Sequence, residues 1–170
     1  QSRAWAKKPS NTIQLGFIGL GRQCLGHLGF FLGQKDCRVV SLAEVAKVRL
    51  DHALGRVRGK YGAEHGCKAA VDFRETIADL RVDAVVIGTP DHWHCLQMVD
   101  ACDAGKDVYV EKPLANSIEE CRRMVDAQEY HGRIVQVGQW QRSGPHWSEA
   151  IDLVSSGELG ALRTVKVWAY

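Results

Sequence analysis

The stretch "GFIGLGRQCLGHL", residues 16–28, decides the reading of this chain. An apolar run stops at Gly19, a second glycine follows at Gly21, and an amphipathic pattern opens near Arg22. Glycine at the first position permits a tight turn out of a strand. At the second it lets the backbone approach a pyrophosphate, whose charge then meets the amino-terminal amides of the following helix. The third position of this dinucleotide fingerprint is ordinarily Gly or Ala and here is Cys24, small enough for close helix packing, with Gly26 adding room. Leu20, Arg22, Gln23 and Cys24 therefore join Gly19 and Gly21 as expected cofactor-binding residues.

A second half of the fingerprint is an acid at the end of the next strand. Glu44 lies 44 − 19 = 25 residues beyond Gly19, near the spacing of about 20 for a carboxylate that accepts from ribose hydroxyls. A 2′-phosphate about 4 Å from it would meet repulsion of roughly 4 kcal/mol per unit charge at an effective dielectric of 20. That favours NAD over NADP, with Lys47 and Arg49 as the cations that would serve a phosphate if Glu44 turned away.

Working outward, β-rich runs alternate with amphipathic stretches. The runs are "IQLGFIG" (13–19), "CRVVSLAE" (37–44), "VDAVVIGTP" (82–90), "DVYVEKP" (107–113) and "RIVQVGQ" (133–139), several apolar on both faces. Strands of that kind suit a parallel sheet covered by helices. A helix is predicted over 117–131, with Ser117 and Glu120 as a capping box and Gly132 as its stop. Another fits 145–156, where Trp147, Ala150, Ile151 and Val154 fall at i, i+3, i+4 and i+7 before Gly157. The order predicts an α/β fold, a doubly wound and mostly parallel sheet with helices on both faces and ligands at the carboxyl ends of the strands.

Composition is that of an ordinary globular chain. Its 170 residues suffice for one core. A formal net charge of +2 gives no electrostatic case for nucleic acid or an acidic membrane as partner. The longest apolar runs fall far short of the roughly 20 residues that cross a bilayer. The six cysteines are scattered without a CxxC pair, which predicts reduced thiols rather than a disulfide framework. "QSRAWAKKPSN" (1–11) reads as a flexible polar lead-in, and the first domain boundary is expected after residue 12.

Two later stretches fall at predicted strand ends. In "TPDHWH" (89–94), Thr89 and Pro90 fix the exit from the sheet and Asp91 is placed to cap a helix. His92, His94 and Cys95 lack a second ligand pair at zinc spacing, so no metal is expected. His94 is expected instead as a neutral hydrogen-bonding group lining the cleft. In "VYVEKPLANS" (108–117), Glu111 and Lys112 stand side by side at the rim of a core, with Pro113 fixing the turn.

Taken with "GLG" and "TPDHWH", the segments "AGKDVYVEKPL" and "VGQWQRSGP" make the chain resemble the Gfo/Idh/MocA family, relatives of glucose-fructose oxidoreductase and inositol dehydrogenase, from Ile13 onward. The resemblance implies a Rossmann domain over 13–160 that binds NAD(P), with Lys112 as the lysine that reaches the nicotinamide and the reacting hydroxyl of a sugar or polyol. An ammonium there stabilises the alkoxide charge that develops as hydride leaves carbon. It also implies cofactor-side roles for Glu111, Thr89, Pro90, His94, Trp140 and Arg142, although Asp91 stands where relatives often have Asn and Trp140 where many have a smaller polar residue. Family members continue into a second α/β domain. "ALRTVKVWAY" (161–170) alternates as its first strand would, so substrate contacts and the general acid and base are expected beyond Tyr170, and this chain alone is expected to have little turnover.

Three functions fit the family. The first is an NAD(P)-dependent sugar or polyol oxidoreductase, which an intact EKP favours. The others are a non-catalytic nucleotide-binding regulator or sensor, and an NAD-dependent glycosidase. The full-length protein is expected as a homo-oligomer. A cytoplasmic location is expected, with the periplasm as the alternative if an export signal has been removed.

Overall fold

The computed structural model of the chain describes residues 12–168; the lead-in, 1–11, lies outside the described residues. These residues divide into two compact units, the first ending at Gly138 and the second beginning at Gln139.

The first unit is a sheet of six parallel strands. They are β1 (Ile13–Ile18), β2 (Cys37–Ala43), β3 (Lys68–Ala70), β4 (Ala84–Ile87), β5 (Asp107–Val110) and β6 (Val135–Val137). Their spatial order is β3-β2-β1-β4-β5-β6. The order reverses between β1 and β4, the switch point at which dinucleotides bind in doubly wound sheets. The expected fold class is the observed one.

Helices cover both faces because the central strands are apolar on both. Leu15 and Phe17 of β1 pack with α1 (Arg22–Leu32) and α2 (Lys47–Tyr61), where Leu28, Ala53 and Val57 are fully buried. Ile18 points the other way, into a cluster that gathers Ile77, Met98, Ala101 and Met124 from α3 (Phe73–Ala78), α4 (His94–Asp103) and α5 (Ile118–His131). The pairing of β1 with β2 shifts register between Leu15 and Gly16. One extra residue in β2 resets the alternation there. Val40 joins one core and Leu42 the other, while the Ser41 hydroxyl lies 2.8 Å from that of Thr76 on α3.

Local signals hold where their chemistry is strong. Ser117 Oγ accepts the Glu120 amide at 3.1 Å, and Glu120 returns a carboxylate oxygen to the amide of Asn116 at 3.0 Å, one residue before the expected partner. Gly132 ends α5 in the left-handed conformation, φ 59°. Three elements were not assigned in the sequence reading: α2, the edge strand β3, only three residues long, and α3, whose Asp72 caps the Arg74 amide at 2.9 Å.

In the second unit a short 3-10 turn (Trp140–Ser143) leads to α6 (Pro145–Ser155), close to the helix expected over 145–156. Residues 161–168 form no strand, and the rest of that expected strand, 169–170, lies outside the described residues. Among the described residues no helix is long and apolar enough to cross a membrane.

The turn into β4 holds an ion pair between a half-exposed arginine and a buried carboxylate. Arg81 donates to Asp79 from Nε at 3.1 Å and from a terminal nitrogen at 2.7 Å, and the buried ammonium of Lys106 donates to the Asp79 and Val82 carbonyls at 2.9 and 2.8 Å. The Arg81 hydrogen bonds hold the Asp79 carboxyl at about 2, below its ordinary 3.8. A folded-state value below the unfolded one gives stability that is complete above the unfolded value and lost as pH falls through the folded one. Arg81 is 40% exposed, so water screens part of the effect. Asp79→Asn is therefore expected to lower the unfolding free energy by about 1–2 kcal/mol at pH 7. In urea titrations, the gap from the parent protein should close between about pH 4 and pH 2.

Candidate functional site

The carboxyl ends of β1, β2 and β4 enclose a cleft of about 710 Å³, within the size of a cofactor site. Gly19, Gly21, Arg22, Gln23, Glu44, Arg49, Thr89 and Pro90 all line it. The cleft begins with Gly19. Its φ is 78°, and a Cβ there would stand 2.6 Å from Thr89 Cγ2 and 2.7 Å from the Thr89 amide nitrogen. Glycine is thus required twice over, by backbone conformation and by the close approach of β1 to β4.

Gly21 serves differently. A Cβ on it would meet nothing within 4 Å, so the space in front of it is open. It is the N-cap of α1, with no side chain capping the first amides and no acid in the first turn. Those amides and the positive end of the helix dipole remain available to an anion.

Glu44 is buried, and both of its oxygens are already engaged. One accepts the Leu20 amide at 2.7 Å and the other the Ala46 amide at 2.9 Å. The carboxylate therefore ties the glycine loop to the end of β2. A carboxylate has about four lone-pair sites, so two remain for ribose hydroxyls on its cleft side. Of the cations expected to compete for a phosphate, Lys47 is bound to Asp51 at 2.8 Å, whereas Arg49 lines the cleft.

Several residues expected to touch a cofactor stand behind the wall instead. Leu20 and Cys24 are fully buried. Cys24 fits the third fingerprint position because the residue it faces, Gly88, has no side chain: a Cβ on Gly88 would stand 2.7 Å from Cys24 Cβ and 2.9 Å from its sulfur. Burial, reinforced by the charges of Glu111 and Glu44, pushes the Cys24 thiol up to about 12. His94 does not line the cleft as expected. It is 1% exposed, with Nδ1 2.9 Å from the Pro113 carbonyl oxygen and Nε2 2.9 Å from that of Thr89. Each ring nitrogen thus lies within hydrogen-bond distance of a backbone carbonyl oxygen, and the side chain ties the end of β4 to the turn after β5. Nor does Asp91 cap a helix; its carboxylate accepts the amide of the next residue, His92, at 2.9 Å.

Glu111 and Lys112, at the end of β5, part company. Glu111 is buried and accepts from His27 Nε2 at 2.6 Å. Lys112 is exposed, with no ion-pair partner among the described residues. Burial, then the Glu111 charge, raises the Tyr109 hydroxyl above its usual value. Trp140 and Arg142 fall in the second unit, beyond Gly138.

The sequence reading missed the far wall. Val71, Phe73, Arg74 and Trp93 line the cleft. Phe73 meets Trp93 edge to face at 6.4 Å, and the Arg74 guanidinium lies 4.7 Å over the Phe73 ring. An apolar and cationic wall of this kind offers stacking to a flat heterocycle. The one signal for it was the aromatic density of "VDFRE" and "HWH".

These features fit a dinucleotide: an open glycine cradle, an uncapped helix start and an acid with lone pairs to spare. The profile of the Gfo/Idh/MocA family, described as an oxidoreductase family with an NAD-binding Rossmann fold, matches residues 13–139. Inositol 2-dehydrogenase 2 of Saccharopolyspora erythraea is 35% identical over 150 residues, which are 88% of this chain and 42% of that protein. A glycosyl hydrolase family 109 protein of Shewanella woodyi is 29% identical over 127 residues, 70% of this chain and 26% of that protein. The crystal structure of scyllo-inositol dehydrogenase from Lactobacillus casei with bound NAD(H) and scyllo-inositol superposes with a TM-score of 0.74 at 28% identity. It covers 88% of this chain and 42% of its own. The chain thus spans less than half the length of these relatives.

The packing of Cys24 on Gly88 has two measurable consequences. Gly88→Ala forces a methyl against the sulfur and is expected to cost about 1–3 kcal/mol in denaturant unfolding. In the native protein at pH 8, iodoacetamide should leave Cys24 unlabelled by peptide mass mapping, and unfolding in urea should expose it to the reagent.

Proposed function

Since the chain belongs to the Gfo/Idh/MocA oxidoreductase family, whose cofactor is NAD, we propose that the whole protein moves hydride between the nicotinamide and a secondary hydroxyl of a polyol. Cyclic polyols of the inositol kind are the first substrates to try, because an inositol 2-dehydrogenase and a scyllo-inositol dehydrogenase are among its relatives. The observation that carries the reading is Lys112: an exposed lysine without a carboxylate partner among the described residues, at the end of β5, in the half of the sheet beyond the switch point. A regulator or sensor that only held the cofactor would have no use for it.

NAD, when bound, supplies the hydride acceptor. Gly21 and the first amides of α1 hold its phosphates, and Glu44 accepts from its ribose while repelling a 2′-phosphate. Lys112 places its ammonium beside the hydroxyl oxygen and stabilises the negative charge that grows as the C–H bond breaks. The proton of that hydroxyl needs a base from elsewhere. Substrate contacts and that base belong to a second α/β domain, which completes a homo-oligomeric enzyme. The glycosidase reading draws on the family 109 relative; it requires release of free sugar without net NADH, which a coupled absorbance assay separates from dehydrogenation.

The first test is a fluorescence titration of the chain with NADH and with NADPH. NADH is expected to bind at least tenfold more tightly, because Glu44 is fixed by two backbone amides and cannot turn aside without releasing them. Equal affinity, or preference for NADPH, would transfer the ribose site to Arg49. Lys112→Ala is expected to change NADH affinity by less than about threefold while lowering turnover of the complete enzyme by at least a hundredfold.

A further inference from the structure

His27 has no part in the cleft wall, yet it makes the shortest contact of the Glu111 carboxylate. It sits on the second turn of α1, the helix whose first turn faces the cleft. Its ring meets Tyr109 edge to face, with centroids 5.3 Å apart, while Nε2 reaches Glu111 Oε1 at 2.6 Å across 84 residues of sequence. Gln23, which does line the cleft, lies 3.5 Å from the same nitrogen.

The carboxylate is boxed in. Glu111 is 4% exposed, the Tyr109 hydroxyl stands 3.5 Å from Oε1, and a Cβ on Gly138 would come within 2.9 Å of that oxygen. Its other oxygen accepts the backbone N–H of Lys112 at 3.1 Å. Among the described residues, His27 is the one side-chain donor close enough for a strong hydrogen bond to it. A buried carboxylate stripped of such a donor does not stay where it is; it turns toward water or another donor. Turning would release the Lys112 amide, and with it the backbone that aims the lysine side chain.

We propose that His27 is a positioning residue that acts on Lys112 through Glu111. The inference rests on Lys112 being the group that serves the reacting hydroxyl. By this linkage one helix sets both ends of the site: its first amides face the phosphates, and its second turn locks the strand end that presents the ammonium. Gly138 belongs to the same device, since any side chain there would displace the carboxylate from His27.

The test follows amide hydrogen exchange by NMR in the 170-residue chain carrying His27→Ala or His27→Gln. Loss of the donor is expected to speed exchange of the Lys112 amide by about tenfold or more, while the core amides of Val86 and Val108 stay within about twofold. Glutamine can still donate to Glu111, so His27→Gln should return the Lys112 amide to within about threefold of the parent. Unchanged exchange at Lys112 in His27→Ala overturns the proposal. So does acceleration of every amide alike, or a glutamine variant that rescues nothing, because either marks His27 as plain packing.

In the complete enzyme, kcat should track the Lys112 amide: down about tenfold in His27→Ala at unchanged KM for NAD, and recovered in His27→Gln. Turnover that survives Lys112→Ala defeats the hydride reading itself. Turnover lost in Lys112→Ala but intact in His27→Ala defeats the positioning role alone.

Discussion

Much of the structure depends on how closely β1 approaches β4. At Gly19 the chain leaves the sheet with φ 78°, so close to Thr89 that a Cβ would stand 2.7 Å from its amide nitrogen. The Gly19 amide still donates to the Ala43 carbonyl at 2.9 Å, so this one residue is gripped from β2 and crowded from β4 at once. A side chain would push the two halves of the sheet apart where the strand order reverses. Opening that seam would separate the glycine loop from Thr89 and Pro90, and the cleft would lose its walls. The topology makes a crevice there; the missing Cβ keeps it narrow enough to hold a ligand on both sides.

Around that seam, acidic groups act as fasteners before they act as ligands. Glu44 takes two backbone amides and so fixes the loop it faces; Glu111 takes an imidazole and an amide and fixes the end of β5. Burial holds the Cys24 thiol protonated, and the charges of Glu111 and Glu44 add to that effect. A buried carboxylate is costly unless it has its own donors. Here each has two, and among the described side chains no buried polar atom lacks a partner. The loop geometry is therefore set in advance, and little reorganisation is left for cofactor binding to pay for.

What the sequence disclosed follows from how far each signal reaches. Gly19 and Gly21 are legible because their chemistry is local: a turn, an approach, a helix start. Ser117 and Gly132 bound α5 for the same reason. Cys24 looked like a flaw in the fingerprint, because the compensating residue, Gly88, lies 64 positions away, and nothing in the local pattern links them. His94 shows the same limit. Its place in the first turn of a helix suggested a cleft-lining group, yet its environment is set by two carbonyls, one of them 19 residues ahead at Pro113. β3 exists only because β2 offers it an edge, and a three-residue run led by Lys68 has no pattern of its own. The aromatic wall of Phe73 and Trp93 joins α3 to the start of α4, a meeting that only the sheet brings about.

Why a glutamate and a lysine should stand side by side at the rim of a core has an answer in strand geometry. Successive side chains leaving a strand point to opposite sides, so neighbours in sequence need not be neighbours in space. Glu111 turns inward to His27 and Tyr109, and Lys112 turns out to solvent. Had the two paired, the ammonium would be neutralised where a bare positive charge is useful, and the carboxylate would be drawn into water where it could fasten nothing. Burying the acid instead lets its charge anchor the lysine's main chain while leaving the ammonium without an ion-pair partner among the described residues. A lysine with no partner of its own is free to meet the charge that a reacting hydroxyl develops. The adjacent opposite charges are thus separate devices, one for holding and one, on the proposed function, for chemistry, and the strand's alternation is what keeps them apart.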